Sequence, residues 1–221
     1  MLGLFYPLLV AHLVGDFALQ TDGMIAAKKK YGVIGVLPHV SVVAVVTLVA
    51  LFPILSKVWF YALVILGTHL FIDAGKIRLD AQVKSKWVSY ALFLLDQALH
   101  ISILWGVSTV ATRAGIPNPF PDIALTTWEG AILLVCAAFV LGILFRVFIP
   151  AKWHNRWPGA LGRIGAWFST ALGFWWAAPI PVVLGLGLLR WRQAEVTQVM
   201  WIEAIVGGVV AILFGFWYLM L

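Results

Sequence analysis

From Val40 to Thr68 the chain carries one charged residue, Lys57, in a run otherwise dominated by valine, leucine, alanine and aromatic side chains. Such a run needs an apolar surrounding along its whole length. In lipid, where no water can satisfy the backbone amides, it can only be helical. The same character recurs along the chain. Apolar stretches long enough to span a bilayer, for which about 20 residues suffice, extend from Leu2 to Gln20, Ile34 to Leu55, Val58 to Lys76, Trp87 to Val110, Trp128 to Phe148, Ile164 to Leu189 and Met200 to Met220. With 63% hydrophobic and 11% charged residues and a mean hydropathy of +1.01, the composition excludes an ordinary soluble domain. The expected fold is an all-α polytopic transmembrane bundle.

Basic residues set the expected orientation. Lys28, Lys29 and Lys30 follow the first stretch, Arg78, Lys84 and Lys86 follow the third, and Arg146, Lys152, Arg156 and Arg163 flank the connection after the fifth. The connections on the other side hold only Lys57 and Arg113. The amino terminus of this multi-pass protein is therefore expected outside. The first stretch lacks a basic start and a small-residue cleavage site, so it reads as an uncleaved helix. The net charge of +6 then reflects anchoring beside lipid headgroups, not nucleic-acid binding. Pro179 and Pro181 interrupt the sixth stretch, giving either one broken span or a re-entrant hairpin, hence six or seven crossings. Residues 1–221 are expected to form one integral membrane domain, with 1–110 carrying the functional half and 111–221 accessory helices. The sequence leaves the oligomeric state open.

Ionisable residues inside these stretches are costly and call for compensation. Three pairs lie four residues apart: His12/Asp16, His69/Asp73 and Asp96/His100. Five histidines and six aspartates in a chain of this length would give roughly 0.3 such pairs by chance. Spacing of four puts both members on one helix face. The order reverses in the fourth stretch, which runs outward, so aspartate lies nearer the cytoplasm in all three. Counting about 1.5 Å per residue places most of these groups roughly 6 to 20 Å from the inner boundary. His39, opening the second stretch, enters at the same level. A faint repeat accompanies this: His-Leu-x-x-Asp occurs in the first and third stretches, each followed by a helix bearing one further histidine.

Imidazoles and carboxylates converging at one depth suit a divalent transition metal, zinc first and manganese or iron as alternatives. The expected ligand set is His12, Asp16, His39, His69, Asp73, Asp96 and His100. Seven candidates exceed one tetrahedral site, which implies two ions or a crowded single site with carboxylates orienting the imidazoles. The competing readings are a bundle glued by His–Asp hydrogen bonds, and heme ligation, against which the adjacent aspartates argue.

The segments "AHLVGDFALQTD", His39, "THLFIDAGKIRL" and "LLDQALH", with "GRIGAW" and "LLRW" further on, resemble a bacterial inner-membrane family known as a domain of unknown function. They are also distantly similar to membrane-bound metal-dependent hydrolases. The chain departs from the first pattern after "GRIGAW", where Phe168 and Ser169 stand in place of a glutamate and a basic residue. The hydrolase resemblance implies metal-assisted hydrolysis of a lipid-like or phosphorylated substrate taken from the cytoplasmic side or from the bilayer. Asp16, Asp73 and Asp96 are then the candidate catalytic carboxylates, and Gln20, Lys76, Gln97 and Arg163 the candidate substrate contacts. The alternative function is transport of a divalent metal or of protons through the same cluster. Apolar outer halves, "LGLFYPLLVA" and "VWFYALVILGT", argue against it. His154, in the basic aromatic loop "KWHNRW", is expected at the interface and outside the site.

Overall fold

The computed structural model describes residues 3–140, 157–192 and 198–220, and these residues are helical and contain no strand. The chain divides into two compact units, residues 1–124 and 125–221. His154 and the end of the fifth expected span, beyond Val140, lie outside the described residues.

The first unit begins with α1, Phe5–Leu13, which runs directly into one π-helical turn, Val14–Ala18. Leu19 N–H donates to Val14 O at 2.9 Å, the five-residue step that defines such a turn. The expected span from Leu2 to Gln20 is thus shorter and locally widened. Between the first two spans, where only a connection is expected, Asp22–Tyr31 form a helix, α2. Thr21 caps it, its hydroxyl accepting from Met24 N–H at 3.2 Å, and three lysines occupy its last turn, where the helix dipole favours cations. Gly32, at φ +59°, ends it and reverses the chain.

A short 3-10 turn, Ile34–Val36, leads into α3, Leu37–Leu51, and a second one, Phe52–Ile54, leads into α4, Leu55–Asp80. Among the described residues two helical stretches, Ile34–Asp80 and Lys86–Arg113, are long and apolar enough to cross a membrane. The first is bent back on itself. Thirty residues of straight helix would separate His39 from His69 by about 45 Å, yet their Nε2 atoms are 3.2 Å apart. The reversal falls at Phe52–Ile54, where Pro53 removes a backbone donor. Helix α5, Lys86–Arg113, completes the unit and packs on α4 and α1. At one end of this bundle lies an apolar core built on Leu4, Leu8, Leu51, Val58, Ala62 and Leu104. Toward its other end the same helices carry the buried polar groups.

In the second unit α6, Leu125–Val135, passes into another π turn, Cys136–Val140. Helix α7, Trp157–Ala171, is followed by a 3-10 turn at Trp175–Ala177, then α8, Pro179–Arg192, and α9, Gln198–Met220. The sixth expected stretch is therefore a helical hairpin. Gly173, at φ +83°, opens the turn, and α8 lies so close to α7 that a Cβ on Gly165 would run into the Pro181 side chain. Ala137, Ala166, Trp167, Ala178 and Ala211 form the core of this unit.

Candidate metal centre

Four helices of the first unit bring seven buried ionisable side chains together: His12 and Asp16 from α1 and its π turn, His39 from α3, His69 and Asp73 from α4, Asp96 and His100 from α5. All are at most 7% exposed. The i,i+4 spacing works as the sequence implies, stacking the members of each pair on one face. The π turn contributes as well, since widening the helix at Val14–Ala18 changes the direction of Asp16 relative to His12. Gly15 permits this geometry by letting α3 approach, because a Cβ there would sit 3.1 Å from a Val43 methyl group.

The imidazoles crowd one another. Ring centroids of His69 and His100 are 4.2 Å apart, those of His12 and His100 5.0 Å, and those of His39 and His69 5.3 Å. Asp16 Oδ1 lies 3.3 Å from His39 Nε2 and 3.5 Å from His69 Nε2, closing a triangle with the 3.2 Å His39–His69 contact. Ligands about 2.0 to 2.1 Å from a tetrahedral zinc ion are separated by about 3.3 Å, so this triangle has the dimensions of one face of such a site. His12 Nδ1 is 3.8 Å from the same Asp16 oxygen.

Hydrogen bonds leave much of this polarity unspent. Asp16 Oδ1, His39 Nδ1, Asp96 Oδ1 and both ring nitrogens of His100 are buried without a hydrogen-bond partner among the described residues. Each such orphan costs about 1–3 kcal/mol, a cost that a bound cation would offset. Among the described residues three overlapping groups could hold a metal ion: Asp16 with His39 and His69, His12 with Asp16 and His100, and His69 with Asp73 and His100. Asp16 belongs to two of them. The two groups that contain Asp16 draw between them on His12, His39, His69 and His100.

Asp96 stands apart from these ligand groups. Its Oδ2 accepts from Gln97 Nε2 at 3.0 Å and lies 3.9 Å from His100 Nδ1. Gln97 does more than neighbour the cluster. It also donates to Asp16 Oδ2 at 3.4 Å, and its Oε1 faces His12 Nε2 at 3.4 Å. Gln97 thereby orients a histidine and two carboxylates.

The remaining candidate contacts are distributed differently. Lys76 ion-pairs with Asp80 at 3.4 Å and lies over the Phe93 ring, beside Asp96 in a groove. Gln20 is half-buried just past the π turn. Arg163 belongs to the second unit, where its Nε and Nη2 donate to Ala138 O at 3.2 and 2.6 Å, satisfying a carbonyl of the second π turn.

One participant went unread in the sequence. Lys28, which there looks like an ordinary interfacial anchor, donates from Nζ to Asp73 Oδ2 at 2.6 Å. Helix α2 folds back far enough for this because Gly35 lets the following turn abut the Ala27 carbonyl. A three-lysine run hides such a contact. The spaced glycines in "YGVIG" are the only sequence trace of the tight return.

No curated protein and no solved structure matches this chain. The sequence pattern of an uncharacterised family, described as protein of unknown function DUF3307, matches residues 4–119. That range holds all seven ionisable residues of the centre together with Lys28, Lys76 and Gln97, and excludes Arg163. Since the match covers just over half of its length, the chain belongs to the DUF3307 family.

Proposed function

We propose that this protein is a multi-pass inner-membrane metalloenzyme that hydrolyses a lipid-like or phosphorylated substrate at the His/Asp centre, reached from the cytoplasmic side. The observation that carries the reading is the triangle of Asp16 Oδ1, His39 Nε2 and His69 Nε2, with edges of 3.2 to 3.5 Å around a carboxylate oxygen that accepts no hydrogen bond. Its dimensions and donor types suit zinc, and His12 and His100 supply the donors for a second ion.

A divalent ion held there lowers the pKa of a water molecule to near 7 and polarises the phosphoryl or acyl oxygen of an ester. The residues divide the remaining work. In this reading Asp96, outside the ligand groups and with a buried oxygen that has no hydrogen-bond partner among the described residues, takes the proton from water as the water oxygen bonds to phosphorus or carbon. The ester bond breaks, and Asp96 returns that proton to the leaving oxygen. Gln97 keeps His12, Asp16 and Asp96 in register. Lys28 orients Asp73 through their 2.6 Å contact.

Access supports hydrolysis over transport. In this reading the amino terminus lies outside and the polar layer in the cytoplasmic half, which the basic connections Lys28–Lys30 and Arg78–Lys86 support. Outward of it, a cavity of about 10 Å³ beside His12, Thr47, Thr68 and His100 is scarcely large enough for one water, and the Leu/Val/Ala core follows. A permeating ion needs successive polar sites, which that core does not offer. The test uses purified protein loaded with zinc. Chelator-sensitive release of phosphate or fatty acid from lipid esters, with no zinc flux into sealed liposomes, is the expected result. Saturable flux abolished by Asp73→Ala, without hydrolysis, would make the cluster a translocation site instead.

A further inference from the structure

A groove of about 190 Å³ runs between α4 and α5. Its walls are Phe71, Leu79, Leu92, Leu95 and Leu99, with only two charged residues, Lys76 and Asp96. The two charged residues differ in setting. Asp96 is 94% buried, carries an oxygen with no partner, and reaches His100 of the metal centre on its other side. Lys76 is partly exposed, and its pairing with Asp80, at 3.4 Å between two half-exposed side chains, is of the weak kind that an incoming anion displaces. Phe71, Leu95 and Leu99 are exposed along the groove, as expected of a slot open to acyl chains.

Gly75 supplies a second observation. It lies inside α4, where glycine disfavours the helix, yet a Cβ built on it meets nothing within 4 Å. No close packing against a neighbouring helix explains the missing side chain. Gly75 lines the groove, and any larger residue there would project into it.

We propose that this groove binds the acyl chain of a phosphate-bearing lipid drawn from the cytoplasmic leaflet, with Lys76 on the phosphate and Asp96 at the junction with the metal centre. It names the substrate class for the hydrolase reading and rests on that reading only for turnover, since binding is measurable without it. An apolar slot with one partly exposed cation on its wall matches a single-headed anionic amphiphile and not a soluble phosphate ester, which would leave the leucines unused.

The test places the protein in phosphatidylcholine vesicles doped with spin-labelled phosphatidic acid and reads the motionally restricted fraction by electron paramagnetic resonance. The restricted fraction is expected to favour the phosphatidic acid label over a phosphatidylcholine label at least fivefold. Gly75→Leu should remove this preference by filling the slot, with Gly75→Ala intermediate. Lys76→Gln should abolish the headgroup preference while a restricted chain remains. Metal content, measured on the same samples, reports whether each variant retains its centre. An unchanged preference in a metal-replete Gly75→Leu protein would overturn the proposal, as would displacement of the label by inorganic phosphate alone. Preferential binding without any hydrolysis would sink the hydrolase reading and leave the lipid site standing.

Discussion

Replacing Asp16 by asparagine should have opposite effects on the metal-free and metal-loaded protein. Asp16 Oδ1 is a buried anionic oxygen without a hydrogen-bond partner, while Oδ2 accepts from Gln97. Asparagine keeps an oxygen for Gln97 and removes the uncompensated charge, so the metal-free variant should be at least as stable as the parent. With metal the balance reverses. At a free zinc concentration 100 times the dissociation constant, binding stabilises the parent by about 2.7 kcal/mol. Losing the oxygen shared by two ligand groups should weaken affinity at least as much as loss of an orienting neighbour, about 100-fold. The same zinc concentration then contributes only about 0.4 kcal/mol to the variant. For a chain of this size the difference corresponds to about 5–9 °C in midpoint. Thermal unfolding in detergent, with zinc and with chelator, measures both numbers. An equal zinc-induced shift in parent and variant would refute the triangle as a metal site, and a large loss of stability in the metal-free variant would show that Asp16 is held by protein contacts alone.

Asp96→Asn should retain its metal yet lose turnover by about 100-fold or more, because Asp96 lies outside the ligand groups and acts on the proton; loss of metal would make it a ligand. Lys28→Met leaves Asp73 buried without its cation and should cost about 2–3 kcal/mol in chelator, with a smaller loss in zinc, where the ion compensates the carboxylate. Identical losses in the two denaturation series would remove Asp73 from the centre. Gly35→Ala drives a Cβ into the Ala27 carbonyl and should release α2, costing about 1–3 kcal/mol and exposing Lys28–Lys30 to trypsin; unchanged digestion would count against the packed position of α2. His69→Ala should abolish metal binding while His154→Ala leaves it intact, which metal analysis of the two variants checks directly.

The helical character and the polar layer were readable because both depend on one-dimensional regularities. Apolar runs locate α3, α4 and α5 within a few residues, and spacing of four pairs His12 with Asp16, His69 with Asp73 and Asp96 with His100. His39 has no such partner in its own helix, and only its depth in the second stretch linked it to the others. Contacts that depend on three-dimensional return were hidden. The π turn around Asp16 leaves no composition signal, the helical form of α2 lies within a short basic connection, and the reach of Lys28 depends on Gly32 and Gly35 bending the chain back. Asp96 illustrates the same limit. Its spacing is indistinguishable from that of the other aspartates, and only the positions of Gln97 and His100 separate a ligand from a carboxylate with a free oxygen.

The most direct measurement is elemental analysis of the protein purified in detergent, before and after exposure to zinc, with chelator-treated and His69→Ala protein alongside. One or two transition-metal ions per chain, removed by the chelator and absent from the variant, is the predicted result. A folded protein that emerges free of metal and takes up none from zinc would contradict it, and the histidines and aspartates would then be a hydrogen-bonded seam between helices.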